Sequence, residues 1–180
     1  MLDARAPSGE NAGRLHPEEN DLADQKLDAP RMLRFLFLTA LMLLLAACSS
    51  TPKPTIVSTT LDATAGVNPD SKGRASSIVV RLFELRATSG FDSADFFSLW
   101  DRERDAMGND LVTRDEFQLR PGEQKKLERT LQPDTRFIGV VAAFRDLERS
   151  TWRSTVAVVP QKKQPVTIKI DTRSIAISGK

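Results

Sequence analysis

Residues 77–86, SIVVRLFELR, contain the clearest indication of the fold. In an extended chain, successive side chains point to opposite faces of the sheet. A strand that is apolar on both faces is covered on both sides. We therefore predict a central strand here, packed against other elements on each face. Its two apolar faces consist of Ile78, Val80 and Leu82 on one side and Val79, Phe83 and Leu85 on the other.

Further strands are predicted along the rest of the chain. Turn signals separate several of them, at Pro121-Gly122, at Pro133-Asp134 and in the polar run QKKQ. About seven or eight short strands favour a mainly β protein built as a two-sheet β-sandwich. Besides the central strand, the predicted strands cover residues 56–61, 111–119, 126–131, 137–144, 151–159 and 166–171.

One segment changes from strand to helix periodicity. Residues 92–107, DSADFFSLWDRERDAM, place Phe96, Phe97 and Trp100 at helical spacing. Asp92 or Ser93 can cap the start and Gly108 can end the segment. We predict one added amphipathic helix whose aromatic residues pack on a sheet.

The N-terminal region has the layout of an exported protein. From Met32 the chain has a basic residue, Arg34, and then an apolar stretch of 13 residues at 35–47, in which Thr39 is the one polar side chain. This is the length of a signal core and is shorter than the roughly 20 residues that span a bilayer. Residues 32–47 are therefore predicted to be a signal peptide. Residues 1–31 form a polar leader, which we interpret as an over-long start assignment with translation beginning at Met32.

The signal core ends in Leu45-Ala46-Ala47-Cys48, which resembles a bacterial lipobox. In a lipobox the cysteine thiol is lipidated and the chain is cut before the cysteine. The alternative is an ordinary secretory signal with an incidental cysteine. The Pro-rich stretch that follows is predicted to be extended, so residues 48–54 form a lipidated tether and residues 55–180 the folded domain.

Composition excludes several classes of function. The chain has 26 Lys+Arg against 24 Asp+Glu, which argues against a general nucleic-acid binder. Its single Cys48 and single His16 cannot form a Cys/His zinc site. Asp110, Asp115 and Glu116 form a small acidic cluster, but no catalytic motif accompanies it. We expect neither catalysis, nor a metal, nor a cofactor other than the lipid on Cys48.

Residues 63–77, ATAGVNPDSKGRASS, form a long polar connection after the first strand. Loops of this length are often functional, although a solvated connector remains the alternative. Asp70, Lys72 and Arg74 can offer charged contacts, and Val67 and Pro69 can supply apolar surface.

The chain after Met32 resembles the outer-membrane lipoproteins of type VI secretion systems, the TssJ family. No single motif is diagnostic, and the resemblance rests on their order and spacing. The motifs are the lipobox at Cys48, NPD and GR within 68–74, VVRLFELR at 79–86, ADFFSLWD at 94–101, DLVTRDE at 110–116, PGE at 121–123 and VVAAFRD followed by WR within 140–153.

This resemblance implies a transthyretin-like β-sandwich with an added helix, tethered to the outer membrane on its periplasmic face. The residue after the cysteine, Ser49, agrees with an outer-membrane location, because in such lipoproteins an Asp at this position commonly retains the protein in the inner membrane. The family binds the periplasmic C-terminal domain of the large inner-membrane subunit, TssM, through the loop between the first two strands. In this chain the predicted contact residues are Val67, Asn68, Pro69, Asp70, Lys72, Gly73 and Arg74.

A function of another class remains open. A lipid-anchored periplasmic module that binds a small ligand would need a sizeable apolar cavity with convergent polar groups. A scaffold subunit needs instead a filled core and a protruding loop. We expect the soluble domain to be monomeric in either case.

Overall fold

The computed structural model describes residues 29–46 and 52–179, which belong to two separate units. The first unit contains one helix, α1 (Ala29–Ala46). Among the described helices, none combines the length and the apolar character that a membrane span requires. The predicted lipidation site, Cys48, and His16 lie outside the described residues.

The second unit is a sandwich of two four-stranded sheets, which confirms the predicted architecture. One sheet has the order β4-β1-β7-β8 and the other β3-β2-β5-β6. Strands β1 and β7 run parallel, and the other neighbouring strands are antiparallel. The strands are β1 (Ile56–Ala63), β2 (Ile78–Leu85), β3 (Leu111–Leu119), β4 (Gln124–Thr130), β5 (Phe137–Ala142), β6 (Arg153–Ala157), β7 (Lys163–Ile170) and β8 (Ile175–Gly179).

The main core lies between the sheets and follows from strand alternation. In β7, Val166, Ile168 and Ile170 are buried, while Thr167 and Lys169 between them are exposed. The same alternation buries every second residue of β1. Burying each such aliphatic side chain stabilises the fold by roughly 1.5–3 kcal/mol.

Strand β2 is central, as predicted, because it pairs with β3 on one side and β5 on the other. Val80 and Leu82 belong to the core between the sheets. Phe83 and Leu85 belong to a second core, which they share with Phe91 and other residues from the helical segment. Both faces of the strand are therefore covered.

The helical segment differs from the single helix that the sequence predicted. It forms three short helices, α2 (Ser89–Ser93), α3 (Phe96–Asp101) and α4 (Glu103–Met107). Ala94 is extended, with ψ 149°, and Asp95 rather than Asp92 or Ser93 caps a helix, by accepting a hydrogen bond from the Ser98 N–H at 3.0 Å. Local capping therefore ends α2 and starts α3 within two residues.

Arginines from the strands hold these helices against their sheet. The Arg81 guanidinium lies 3.9 Å from the centre of the Trp100 ring and donates a hydrogen bond to the Trp100 carbonyl oxygen. Arg153 donates to the carbonyl oxygens of Phe91 at 2.9 Å and Ala94 at 2.6 Å. The carbonyl groups at the end of α2 are thus satisfied by a side chain from β6.

Two further predictions need correction. Phe97 does not pack on the sheet, because its side chain is 63% exposed and points away from the core that Phe91 and Leu99 fill. Strand β8 (Ile175–Gly179) was not predicted as a separate strand. It forms a hairpin with β7 and contacts β6, and these partners make it a strand despite its short apolar signal.

Candidate functional site

The loop between β1 and β2, residues 64–77, is fastened at its base to the turn between β7 and β8. The Thr64 N–H donates to the Ile170 carbonyl oxygen at 2.9 Å, and the Asn68 N–H donates to that of Thr172 at 3.2 Å. Within the loop, the Ser76 N–H donates a hydrogen bond to the Val67 carbonyl oxygen at 3.1 Å and so joins the two ends of the loop. The loop is therefore a hydrogen-bonded structure and not a loose connector.

Two residues predicted to lie on the contact surface are buried instead. Val67 is 0% exposed and packs in the core between the sheets, so it cannot supply apolar contact surface. Asn68 is 4% exposed. The loop places Val67 in the core because an apolar side chain is more stable there than in water.

Asn68 joins the loop to two other segments. Its side-chain Nδ2 donates to the Ser77 carbonyl oxygen at 2.9 Å, and its Oδ1 accepts from the Arg145 N–H at 2.8 Å. Its backbone is left-handed, with φ 49°, a conformation that asparagine adopts more readily than most residues. A buried side chain that satisfies two backbone groups serves as an anchor for the loop.

The loop tip is shaped by Asp70. Its Oδ1 accepts hydrogen bonds from the N–H groups of Lys72 at 2.9 Å and Arg74 at 3.0 Å, while its Oδ2 accepts from Arg74 Nε at 2.8 Å. These bonds, led by those of Arg74, hold the pKa of the Asp70 carboxyl below its ordinary value. The tip is closed by Gly73 at φ 77°, and the Arg74 side chain stays 74% exposed.

The exposed part of the loop forms one wall of an open hollow of about 700 Å³. The other walls come from the segment between β5 and β6 and from the turn between β7 and β8. This grouping could not be predicted from the sequence, because the three segments that form the walls lie far apart in the chain and each basic residue resembles an ordinary surface residue. The lining residues are Pro69, Asp70, Ser71, Gly73, Arg145, Asp146, Arg149 and Arg173.

The acidic cluster does not form a catalytic arrangement. Glu116 pairs with Arg81 at 2.8 Å, and Asp115 pairs with Arg129 from β4. Asp110 accepts a long hydrogen bond of 3.4 Å from Ser89. Within the described ranges, 29–46 and 52–179, no group of three or more candidate ligands is placed to hold a metal ion.

The surface hollows do not resemble a small-ligand site. Besides the hollow at the loop, one of about 570 Å³ lies at the turn after β3, and one of about 540 Å³ lies between α4 and β3. All three open to solvent and are lined mainly by polar and charged residues. A small-ligand pocket is enclosed and largely apolar. Among the described residues, these three hollows do not favour the ligand-binding alternative.

Comparison with known proteins gives a consistent family and fold. Residues 55–173 match the profile of the family described as "Type VI secretion lipoprotein, VasD, EvfM, TssJ". The crystal structure of the T6SS lipoprotein TssJ1 from Pseudomonas aeruginosa is 42% identical, with a TM-score of 0.68, over 71% of this chain and 97% of that chain. These matches confirm the predicted transthyretin-like sandwich.

More distant structures share the fold. Serratia marcescens Lip, a membrane-bound component of the type VI secretion system, is 29% identical, with a TM-score of 0.65, over 71% of this chain and 98% of that chain. A chain from the structure described as the C-terminal domain of the T6SS protein TssM from EAEC is 24% identical, with a TM-score of 0.58, over 68% of this chain and 97% of that chain. No curated protein sequence matches the chain.

Proposed function

The chain belongs to the type VI secretion lipoprotein family, TssJ. We therefore propose that it anchors the type VI membrane complex to the outer membrane. Members of this family are structural components of a secretion apparatus and not enzymes. In the proposed arrangement the lipid is attached to Cys48, the tether extends to residue 54, and the sandwich faces the periplasm. It binds the periplasmic C-terminal domain of the inner-membrane subunit TssM.

The lipid anchor is supported by the sequence around Cys48. A lipobox at the end of a signal core provides the thiol at the new N-terminus. One acyl chain gives only marginal membrane binding, whereas several chains, at about 0.8 kcal/mol per buried methylene, hold a protein stably. The tether then allows the sandwich to reach a partner without strain on the anchor.

The partner contact is supported by the loop between β1 and β2, and one observation carries it. The tip, residues 69–74, is exposed at 71–74 and is held in one shape by hydrogen bonds to Asp70, and the buried side chain of Asn68 anchors its base. A loop that is ordered before binding loses less conformational entropy when it docks. Two chains with a similar fold come from structures described as a type VI membrane complex and as the TssM C-terminal domain. Their presence there is consistent with a binding partner in the membrane complex.

A binding measurement with a blocked loop tests the partner contact. Residues 49–180, which contain the compact second unit, are titrated against the periplasmic C-terminal domain of TssM from the same organism. Ser71→Trp places a bulky side chain on the exposed tip, and we expect Kd to rise at least about tenfold. Absence of binding by the folded wild-type domain, or unchanged binding by the variant, would overturn the proposed contact.

The control variant is Thr130→Trp. Thr130 is exposed and pairs with Ile56 at the start of β1, whereas the loop follows the other end of that strand. We expect this variant to bind like the wild type. It controls for unspecific effects of an added exposed indole.

A further inference from the structure

The hollow beside the loop contains basic side chains that the fold leaves without carboxylate partners. Among the described residues, no carboxylate lies within ion-pair distance of Arg145 or Arg149. The Arg145 Nε donates instead to the neutral Ser76 Oγ at 3.0 Å. Both side chains are exposed and line the hollow. Their charges therefore remain available to a bound group.

The two carboxylates in the hollow are already used within the fold. Asp70 binds Arg74 at 2.7 Å, and Asp146 lies 3.5 Å from the Nε atom of Arg173. Arg145 also contributes to lowering the pKa of Asp70, which places its charge within reach of the loop tip. The hollow thus carries an excess of positive charge.

The three segments that line the hollow are hydrogen-bonded to one another. Asn68 Oδ1 accepts from the Arg145 N–H at 2.8 Å, and the Thr151 N–H donates to the Arg173 carbonyl oxygen at 2.9 Å. The Asn68 N–H donates to the Thr172 carbonyl oxygen at 3.2 Å. The backbones that carry the arginines are therefore held at fixed spacing before any partner binds.

We propose that this hollow is a second part of the partner-binding surface and that it takes an acidic segment of the partner protein, with Arg149 and Arg145 binding its carboxylates. The inference rests on the proposed function, because the hollow shares Asp70 and Ser71 with the loop tip and so continues the same surface. Guanidinium groups bind carboxylates through paired, charge-assisted hydrogen bonds. Such complementary charge raises the rate of association and makes affinity depend on salt.

An acidic protein segment fits the hollow better than a lipid phosphate. Asp70 and Asp146 lie in its walls among the arginines, so the positive charge is not gathered at one point for a single phosphate group, whereas an extended segment can bind separate arginines with separate carboxylates. Pro69 adds a small apolar surface that a polypeptide can cover. Continuity with the loop tip also favours the partner that the loop binds.

Charge reversal tests this proposal. Binding of residues 49–180 to the periplasmic C-terminal domain of TssM is measured at low and physiological salt for the wild type and Arg149→Glu. We expect Arg149→Glu to weaken binding by roughly 10- to 100-fold at low salt and to flatten the salt dependence. Arg149→Lys keeps the charge but not the paired hydrogen bonds, so it should bind more tightly than Arg149→Glu and less tightly than the wild type.

The control is Lys162→Glu, which makes the same change of charge at the opposite end of the sandwich. The Lys162 carbonyl oxygen accepts from Ile56 at the start of β1, and its side chain is exposed. We expect this variant to bind like the wild type. Thermal melting of both variants verifies that each is folded.

The outcomes separate the inference from the proposed function. If the wild type does not bind the TssM domain, the proposed function fails. If it binds and Arg149→Glu binds equally well, or if Lys162→Glu weakens binding as much, the inference fails and the loop contact stands. Binding to phosphatidylglycerol vesicles is measured for the same variants. If Arg149→Glu loses vesicle binding while its binding to TssM is unchanged, the hollow binds a membrane surface and the acidic-segment proposal is overturned.

Discussion

The Oδ1 atom of Asn68 accepts a hydrogen bond from the backbone N–H of Arg145 at 2.8 Å, across 77 positions of sequence. This contact joins the loop between β1 and β2 to the segment between β5 and β6. It makes a polar residue in the middle of a loop part of the buried structure. The exposed tip can therefore be altered separately from its buried base.

Asn68→Ala is expected to destabilise the fold. Loss of the side chain removes two part-buried hydrogen bonds, to the Arg145 N–H and to the Ser77 carbonyl oxygen, and each typically contributes about 0.5–1.5 kcal/mol. Alanine also tolerates the left-handed backbone less well than asparagine, at about 1 kcal/mol. Urea unfolding measures the change in the free energy of unfolding. A loss below about 1 kcal/mol would contradict the anchoring role.

Asn68→Gly separates the two contributions. Glycine adopts the left-handed conformation freely but makes no side-chain hydrogen bonds. We expect the free energy of unfolding of this variant to lie between that of Asn68→Ala and that of the wild type. Equal stability of the glycine variant and the wild type would show that only the backbone conformation matters.

Gly90→Ala tests the packing of the short helices. A Cβ atom at position 90 would lie 2.9 Å from the Ala106 carbonyl oxygen and 3.1 Å from the Met107 Cα, so α2 and α4 must separate. Overpacking of this kind costs about 1–3 kcal/mol. Gly66→Ala is the control, because its nearest contact, the Thr172 Oγ1 atom, is at an ordinary 3.5 Å. Equal free energies of unfolding for the two variants would be incompatible with the close approach.

The shape of the loop tip is expected to depend on pH through Asp70. The folded carboxyl has a pKa below its reference value of 3.8, so the ionised group stabilises the tip above that pH. This contribution is lost as the pH falls through the folded pKa. Amide chemical shifts of Lys72 and Arg74, followed by NMR from neutral pH downward, should stay constant to about pH 4 and move below it.

Asp70→Asn provides the control for that titration. An amide oxygen still accepts hydrogen bonds but does not titrate in this range. The two amide shifts should then lose their acid transition. A midpoint at or above the reference value in the wild type would contradict the lowered pKa.

Cys48→Ala is expected to remove the anchor and leave the domain intact. The lipid is predicted to attach through this thiol, whereas the first strand of the domain begins only at Ile56. Membrane fractionation should show an unprocessed or mislocalised protein, and secretion should be lost. Incorporation of labelled palmitate into the wild type and not into the variant provides the direct measurement. Normal processing and secretion by Cys48→Ala would refute lipid anchoring at this residue.

Local patterns were sufficient to predict much of the sandwich. The alternation in β7 and the two apolar faces of β2 are properties of successive residues, so they can be read without knowledge of distant contacts. The break in the helical segment also had a local signal, because Asp95 and Ser98 have the spacing of a helix cap. The uninterrupted spacing of the aromatic residues concealed it.

Most of the strand pattern and the family could be predicted from the amino-acid sequence alone, because each depends on residue types at short or fixed spacing, and the predicted lipobox rests on the same kind of signal. The burial of Val67, the anchoring role of Asn68 and the grouping of Arg145, Arg149 and Arg173 in one hollow could be found only from the three-dimensional structure. Those facts depend on which distant segments meet at one end of the sandwich. Burial and hydrogen bonding between such segments depend on which residues are close in space, and the local periodicity of the sequence does not show this.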